Sequence, residues 1–264
     1  MLDVRMIRAM LETAGQLAMQ HFLKVNPTRK ADHSYVTEAD LAVQAFLKEE
    51  LDAHFPDDGL VAEEDNLRKD PASGGRYWIV DPIDGTASFV AGLPGWGIAL
   101  GLMEHGEAAA GFFWMPHTRD FFHTTPGQPA CRNGQPFLMK TPRPVHPETL
   151  LLTHSRPHQR YDLSADYAGK VFCLGSAMVH LCCVATGGAD ALLIGHDRIW
   201  DLVAGLALLV KNGGVLRYVN GPVVSLPELL TGGPAPYPML GGHPEVITQF
   251  EALIDYHSPR FVDP

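Results

Sequence analysis

Asp81 and Asp84 stand three residues apart in the stretch Trp78-Ile79-Val80-Asp81-Pro82-Ile83-Asp84-Gly85-Thr86, which restricts the chain more tightly than any other short segment. Two carboxylates brought this close repel unless a cation sits between them. Trp78-Ile79-Val80 is an apolar run that reads as a buried strand. Pro82 has no N–H to give and is expected to end the ladder, and Gly85-Thr86 is expected to open a helix whose free N–H groups favour an anion. Asp81 and Asp84 would then hold a metal at a strand end while the amides of Gly85 and Thr86 face a phosphate. In the plainer reading Asp81 ends a strand and Asp84 caps a helix.

The metal reading gains weight from acids elsewhere in the chain. Glu63-Glu64-Asp65 follows the apolar Leu60-Val61-Ala62, and Trp200-Asp201 opens an apolar segment, Leu202 to Val210, that ends at Gly213-Gly214. A charged turn accounts for the first cluster and a helix N-cap for the second, each taken alone. Together they are the carboxylate set that a metal-assisted hydrolysis site requires.

At 264 residues the chain fits one large domain or two intimate halves, and 46% hydrophobic residues are ample for a core. A formal charge of -10 and the lack of any Lys/Arg-rich run argue against nucleic-acid binding. Cys131, Cys173, Cys182 and Cys183 show no CxxC spacing, so buried free thiols, a reducing compartment and no zinc site are expected. Arg5, Arg8 and Glu12 interrupt the apolar positions of the N-terminus, which therefore does not read as a signal peptide, and no apolar run reaches the ~20 residues of a membrane span. A soluble cytoplasmic protein is the expectation.

Ile7, Met10, Leu11, Ala14, Leu17, Ala18 and Phe22 recur at helical spacing, which predicts an amphipathic helix ending before Pro27. Thr37 with Asp40 makes an acidic capping-box pattern ahead of a helix lined by Val43, Phe46, Leu47 and Leu51. Gly97 to Met103 and Ala108 to Trp114 read as a hairpin, with Asp120 to Thr124 as a third strand. The proline-rich stretch from Pro126 to Pro147 reads as mostly loop and as the boundary between halves of roughly residues 1–145 and 146–264. Beyond it a strand near Leu150, a helix from Ala177 to Thr186, a strand from Ala189 to Ile194 and a helix from Asp201 alternate, and Pro244 is expected to start a last helix through Tyr256. The 13 histidines form no nucleophile motif, and most read as surface or structural residues.

In order and spacing these motifs resemble the inositol monophosphatase family, the magnesium-dependent, lithium-sensitive phosphatases that also include histidinol phosphatases and fructose bisphosphatases. The resemblance runs from Lys30 and Val36-Thr37-Glu38-Ala39-Asp40 through Ala62-Glu63-Glu64 and Asp81-Pro82-Ile83-Asp84-Gly85-Thr86. It continues through Gly175-Ser176-Ala177 and Ala185 to Ala191, and ends with Trp200-Asp201-Leu202-Val203-Ala204-Gly205. It implies a single α+β phosphatase domain with a layered α-β-α-β-α sandwich, the metal site between the two halves, and a homodimer. By position, Glu63, Asp81, Asp84 and Asp201 match the family's metal carboxylates and the carbonyl of Ile83 a further ligand. Thr86 and Asp40 match the water-orienting pair, although Asp40 is explained equally well as the cap residue of its helix.

Hard oxygen donors of this kind suit two or three Mg²⁺ ions, or Mn²⁺. Asp81 is the candidate bridge between ions, and Glu63 with Thr86 would orient the attacking water. Asp84, Gly85, Thr86, Gly175, Ser176 and Ala177 would line the place of the substrate; Ser176 also reads as a simple helix cap. In inositol-preferring members an acid seven positions before the Asp201 equivalent contacts sugar hydroxyls, and here Ile194 stands there. The expected substrate is a small phosphate ester, with inositol 1-phosphate not expected to be the best one. Histidinol phosphate is the first alternative, since Val36 to Asp40 and Gly92 to Trp96 look more like histidinol phosphatases; fructose 1,6-bisphosphate and a non-catalytic binding role rank lower. His196, Asp197 and Arg198 read as a polar loop within reach of substrate.

Overall fold

The computed structural model describes residues 2–30, 34–72, 75–156 and 161–256. Helix α1 (Val4–His21) starts where the Asp3 carboxylate accepts from the amides of Arg5 and Met6, and it buries Ile7, Met10, Leu11, Ala14 and Ala18. A two-stranded ribbon, β1 (Thr28–Arg29) and β2 (Tyr35–Val36), leads to α2 (Glu38–His54), which opens with the capping box of Thr37 and Asp40. Val43, Leu47 and Leu51 face inward on α2, and Phe46 is half-buried against the same core.

Eight strands form the first sheet: β3 (Gly59–Ala62), β4 (Arg68–Lys69), β5 (Arg76–Asp84), β6 (Gly97–Glu104), β7 (Glu107–Met115), β8 (Asp120–Thr124), β9 (Cys131–Arg132) and β10 (Gln135–Pro136), in the order β10-β9-β8-β7-β6-β5-β3-β4. Only β3 and β5 run parallel; the other pairs are antiparallel. Side chains alternate between two dry faces. Trp78, Val80, Leu100, Leu102, Phe112 and Trp114 pack under α1 and α2, while Ile79, Ala99, Met103 and Phe113 face the opposite way.

That opposite face is covered by α4 (Ala177–Ala185) and α5 (Ile199–Lys211), which follow the short α3 (Thr86–Val90) in the chain. Helix α5 lies directly on the sheet because two strand positions have no side chain. A Cβ on Gly101 would come 2.6 Å from Val203 Cγ1, and one on Gly111 would run into the Ala204 carbonyl.

The second sheet takes β11 (Leu150–Thr153), β13 (Lys170–Phe172), β14 (Ala191–Ile194), β15 (Val215–Tyr218) and β16 (Met239–Gly242), in the order β13-β11-β14-β16-β15. Leu152, Leu192, Leu216 and Met239 join the core of α4 and α5, and α6 (Leu226–Leu229) closes that core at one side. The far face carries Leu151, Leu193 and Leu240 against Val246, Ile247 and Phe250 of α7 (Pro244–Glu251). The chain is thus the expected α+β layered α-β-α-β-α sandwich.

Two local expectations fail. The ladder does not end at Pro82: β5 continues to Asp84, pairing Asp81 with Ala99 and Asp84 with Gly97, and a bulge between those pairs takes up Pro82 and Ile83. A bulge tolerates a residue without a ladder N–H. The last helix stops at Glu251 instead of Tyr256, because Ile254–Tyr256 forms strand β17 and pairs with β12 (Tyr161–Leu163). A distant partner strand outweighs local helix preference there.

Candidate active site

The bulge in β5 is what builds the acid centre. It turns the strand so that Asp81 and Asp84, which alternation alone would send to opposite faces, converge. Oxygens of Asp81, Asp84 and Asp201 lie within 4.8 Å of one another. The other Asp81 contact closes the bulge, with Oδ1 accepting from the Ile83 amide at 3.0 Å. Gly85 follows in the left-handed region at φ 89°, and a Cβ there would fall 2.8 Å from the Gly95 carbonyl and 3.0 Å from Ser176 Cβ. The turn therefore sits close against both the 92–96 loop and the start of α4.

Asp201 arrives from the other half of the chain. It is the third residue of α5 rather than its N-cap, as the helix begins at Ile199, and its Oδ2 accepts from the Arg198 amide at 2.5 Å. Asp84 Oδ2 is held at the N-terminus of α4, accepting from the Ser176 hydroxyl and from the Met178 amide at 3.0 Å. Ser176 caps α4 by accepting from the Val179 amide at 2.9 Å. Its hydroxyl is thus engaged by the protein on both sides, while Gly175 and Ala177 line the pocket beside it.

Burial pushes Asp81 and Asp201 well above the usual carboxylate range, reinforced by Glu63 for Asp81 and by Asp197 for Asp201. Asp84 is pushed up to about 7, chiefly by burial, against the pull of Ser176 and Met178. Three crowded acids that resist ionising alone have the donor chemistry of a hard divalent cation site.

Glu63 stands beside this triad and is held by Lys30, whose Nζ lies 2.7 Å from Glu63 Oε1 and 2.8 Å from Glu64 Oε2. Burial opposes the charge of Lys30, yet the pull of Glu63 and the bonds to both glutamates hold its pKa above the ordinary value. Glu64 is pushed up to about 7 by burial and by the charge of Glu63. The sequence offered Lys30 only as a motif residue, without a role.

Asp40 touches both Thr37 and Thr86. Oδ2 accepts from the amide and hydroxyl of Thr37 at 2.8 and 2.6 Å, and Oδ1 lies 3.4 Å from Thr86 Oγ1. Thr86 Oγ1 also lies 3.0 Å from the Ile83 carbonyl. Burial raises Asp40 to about 6 in spite of the Thr37 bonds.

A pocket of about 290 Å³ opens over Asp84 and Asp201. Its wall includes His154, His180, Ile194, His196 and Asp197. Ile194 is buried at the end of β14 and presents only hydrocarbon. The 196–198 loop divides: His196 and Asp197 line this pocket, whereas Arg198 gives Nη1 to the Gly232 carbonyl and lies over the Trp200 ring. His180 is buried on α4 and forms part of the pocket wall.

Residues 4–246 match the family model described as the inositol monophosphatase family. The chain belongs to the inositol monophosphatase family. It is a phosphoric monoester hydrolase of this metal-dependent family, and its buried acidic cluster can hold ions. Among curated family members, it is 30% identical over 225 residues to the fructose-1,6-bisphosphatase/inositol-1-monophosphatase of Thermotoga maritima, covering 80% of this chain and 83% of that protein. It is also 30% identical over 221 residues to the histidinol-phosphatase of Chlorobaculum parvum, covering 80% and 84%. Among solved structures, the extragenic suppressor protein suhB of Bartonella henselae shares the fold with a TM-score of 0.80 at 20% identity, over 94% of this chain and 96% of that one. Across the described residues, no helix is long and apolar enough to cross a membrane.

Proposed function

We propose that this phosphatase hydrolyses a small-molecule phosphate monoester with Mg²⁺, or Mn²⁺, held by Asp81, Asp84 and Asp201 together with Glu63 and the Ile83 carbonyl. The observation that carries the reading is the convergence of three carboxylates from two halves of the chain within 4.8 Å, beside a pocket of small-molecule size. Two or three such ions, when bound, supply charge neutralisation for the phosphate and a lowered pKa for the attacking water.

The protein groups do the rest. Asp81, Asp84 and Asp201 would hold the ions, with Asp81 the candidate shared ligand. Glu63 accepts the proton of the attacking water. Asp40 orients the Thr86 hydroxyl, which turns a lone pair toward that water. Water adds to phosphorus opposite the ester oxygen and the P–O bond to the alcohol breaks; the leaving alkoxide takes a proton from solvent, Glu63 returns its proton to solvent, and the products are the alcohol and inorganic phosphate. The phosphate rests beside the amides of Gly85 and Thr86, and the alcohol extends along Gly175, Ser176 and Ala177.

Ile194 weighs against inositol 1-phosphate as the preferred ester. A hydroxyl that needs an acceptor there meets hydrocarbon, at a cost of ~1–3 kcal/mol if buried. Histidinol phosphate is the alternative, and an acid in the pocket wall, Asp197, supports it as the kind of residue an ammonium pairs with. We take the enzyme to work as one domain of two halves meeting at these acids, as a cytoplasmic homodimer. Four free cysteines suit a reducing compartment.

The test is a phosphate-release screen with Mg²⁺ over inositol phosphates, histidinol phosphate, fructose 1,6-bisphosphate, a nucleotide 3′-phosphate and simple sugar phosphates. Turnover of at least one ester, abolished by excess EDTA, is expected. No turnover of any of them overturns the reading.

A further inference from the structure

His180 has no place in the mechanism above, yet its ring is wired to the acid centre. The Leu174 amide donates to His180 Nε2 at 2.9 Å. An amide can only donate, so Nε2 carries the lone pair and the ring proton sits on Nδ1. Burial keeps the ring neutral, with its pKa pushed down to about 4. Nδ1 is itself buried without a protein acceptor. A leucine or phenylalanine on the same face of α4 would fill the space without that unmet donor, so packing alone does not account for an imidazole here.

The peptide that His180 grips is clamped on its other side. A Cβ on Gly95 would run into the Leu174 carbonyl, and a Cβ on Gly175 would run into Ser88 Oγ. Between these contacts the turn at Leu174, Gly175 and Ser176 has no slack, and its last residue hands its hydroxyl to Asp84 Oδ2. The bonded route runs from His180 to the Leu174 amide, through two peptide units to Ser176, and across to the carboxylate facing Asp81 and Asp201.

We infer that His180 is a positioning residue for Asp84: by holding the Leu174 amide it fixes the turn that sets Ser176 against that carboxylate. Groups that orient a metal-binding side chain act on affinity for the ion as well as on rate. The inference rests on the metal site proposed above.

The experiment is calorimetric titration of Mg²⁺ alone into the wild-type protein and into His180→Phe, His180→Gln and Ser176→Ala. His180→Phe is expected to weaken Mg²⁺ binding about ten- to a hundredfold. His180→Gln, whose amide oxygen can accept from Leu174, is expected to restore affinity to within a few-fold of wild type. Unchanged affinity in His180→Phe overturns the inference, and so does a glutamine variant as weak as the phenylalanine one, because the loss would then come from packing. Should His180→Phe not fold, Ser176→Ala decides: it removes the last link, and wild-type Mg²⁺ affinity in that variant overturns the inference. Absence of Mg²⁺ binding to the wild type would instead break the metal site itself, and this inference with it.

Discussion

The floor and the rim of the site are built from different materials. The floor, Asp81, Asp84 and Asp201, comes from a strand bulge and the first turn of a long helix, locked between two sheets. The rim comes from the end of an edge strand and two loops, with Lys170 to Gly175 exposed along its whole length. Buried acids at fixed separations suit chemistry that is the same for every phosphate ester. Exposed connecting segments, apart from the clamped turn at Leu174 and Gly175, tolerate change more readily than buried acids, which suits them to reading the identity of the alcohol.

The comparison breaks most readily at the floor. Asp84→Asn or Asp201→Asn should remove ~3–4 kcal/mol of transition-state stabilisation, about two to three orders of magnitude in kcat, with the fold intact by circular dichroism. Near-wild-type turnover in either variant, or in excess EDTA, would show that these acids are not metal ligands. Li⁺ at millimolar levels should inhibit the wild type, as the family resemblance implies, and an insensitive enzyme would loosen that kinship.

At the rim the effect is one of preference. Ile194→Glu should move the ratio of kcat/KM for inositol 1-phosphate over glycerol 2-phosphate upward by about tenfold, through an acceptor for ring hydroxyls. Comparing the two esters at one Mg²⁺ concentration separates this from a general change in rate. A wild type that already prefers inositol 1-phosphate to every ester in the screen would mean that another rim residue meets those hydroxyls.

The floor also carries a pH signature. Asp84 and Glu64 are each raised to about 7 and Asp40 to about 6 in the folded protein, above their unfolded values. The native state then binds more protons than the unfolded state, so stability falls as pH rises. Metal-free protein should lose thermal stability between about pH 4 and pH 7, and Mg²⁺ should raise Tm more at pH 8 than at pH 5. A metal-free Tm that climbs across this window would contradict the burial of these acids. The smallest effect belongs to the rim: Cys173→Ser, at an exposed pocket edge, should change unfolding free energy by no more than ~0.5 kcal/mol in urea.

Much of the floor could be read from the chain because its parts are local. The capping box of Thr37 and Asp40 is a four-residue pattern, and the strands from Gly97 to Trp114 are written in their alternation. The Pro82 bulge was not legible, since a proline in a strand reads as an ending unless the neighbouring strand is known to shift register. The ion pairs of Lys30 were not legible for a different reason. Lys30 meets Glu63 and Glu64, 33 and 34 residues away, through a fold that brings distant segments together, and no spacing in the sequence records that approach.

The sequence by itself determined most of the longer helices and strands, the layered class implied by its motifs, and the identity of the acids, because hydrophobic period, capping chemistry and carboxylate spacing act within a few residues of chain. Only the tertiary structure decided how those acids are shared out. Asp84 Oδ2 is turned to Ser176 and Met178, Asp40 is split between Thr37 and Thr86, and Glu63 is held by Lys30. These allotments depend on which donors the two sheets and the helices between them carry to within hydrogen-bond distance, and that is a property of packing across the whole chain.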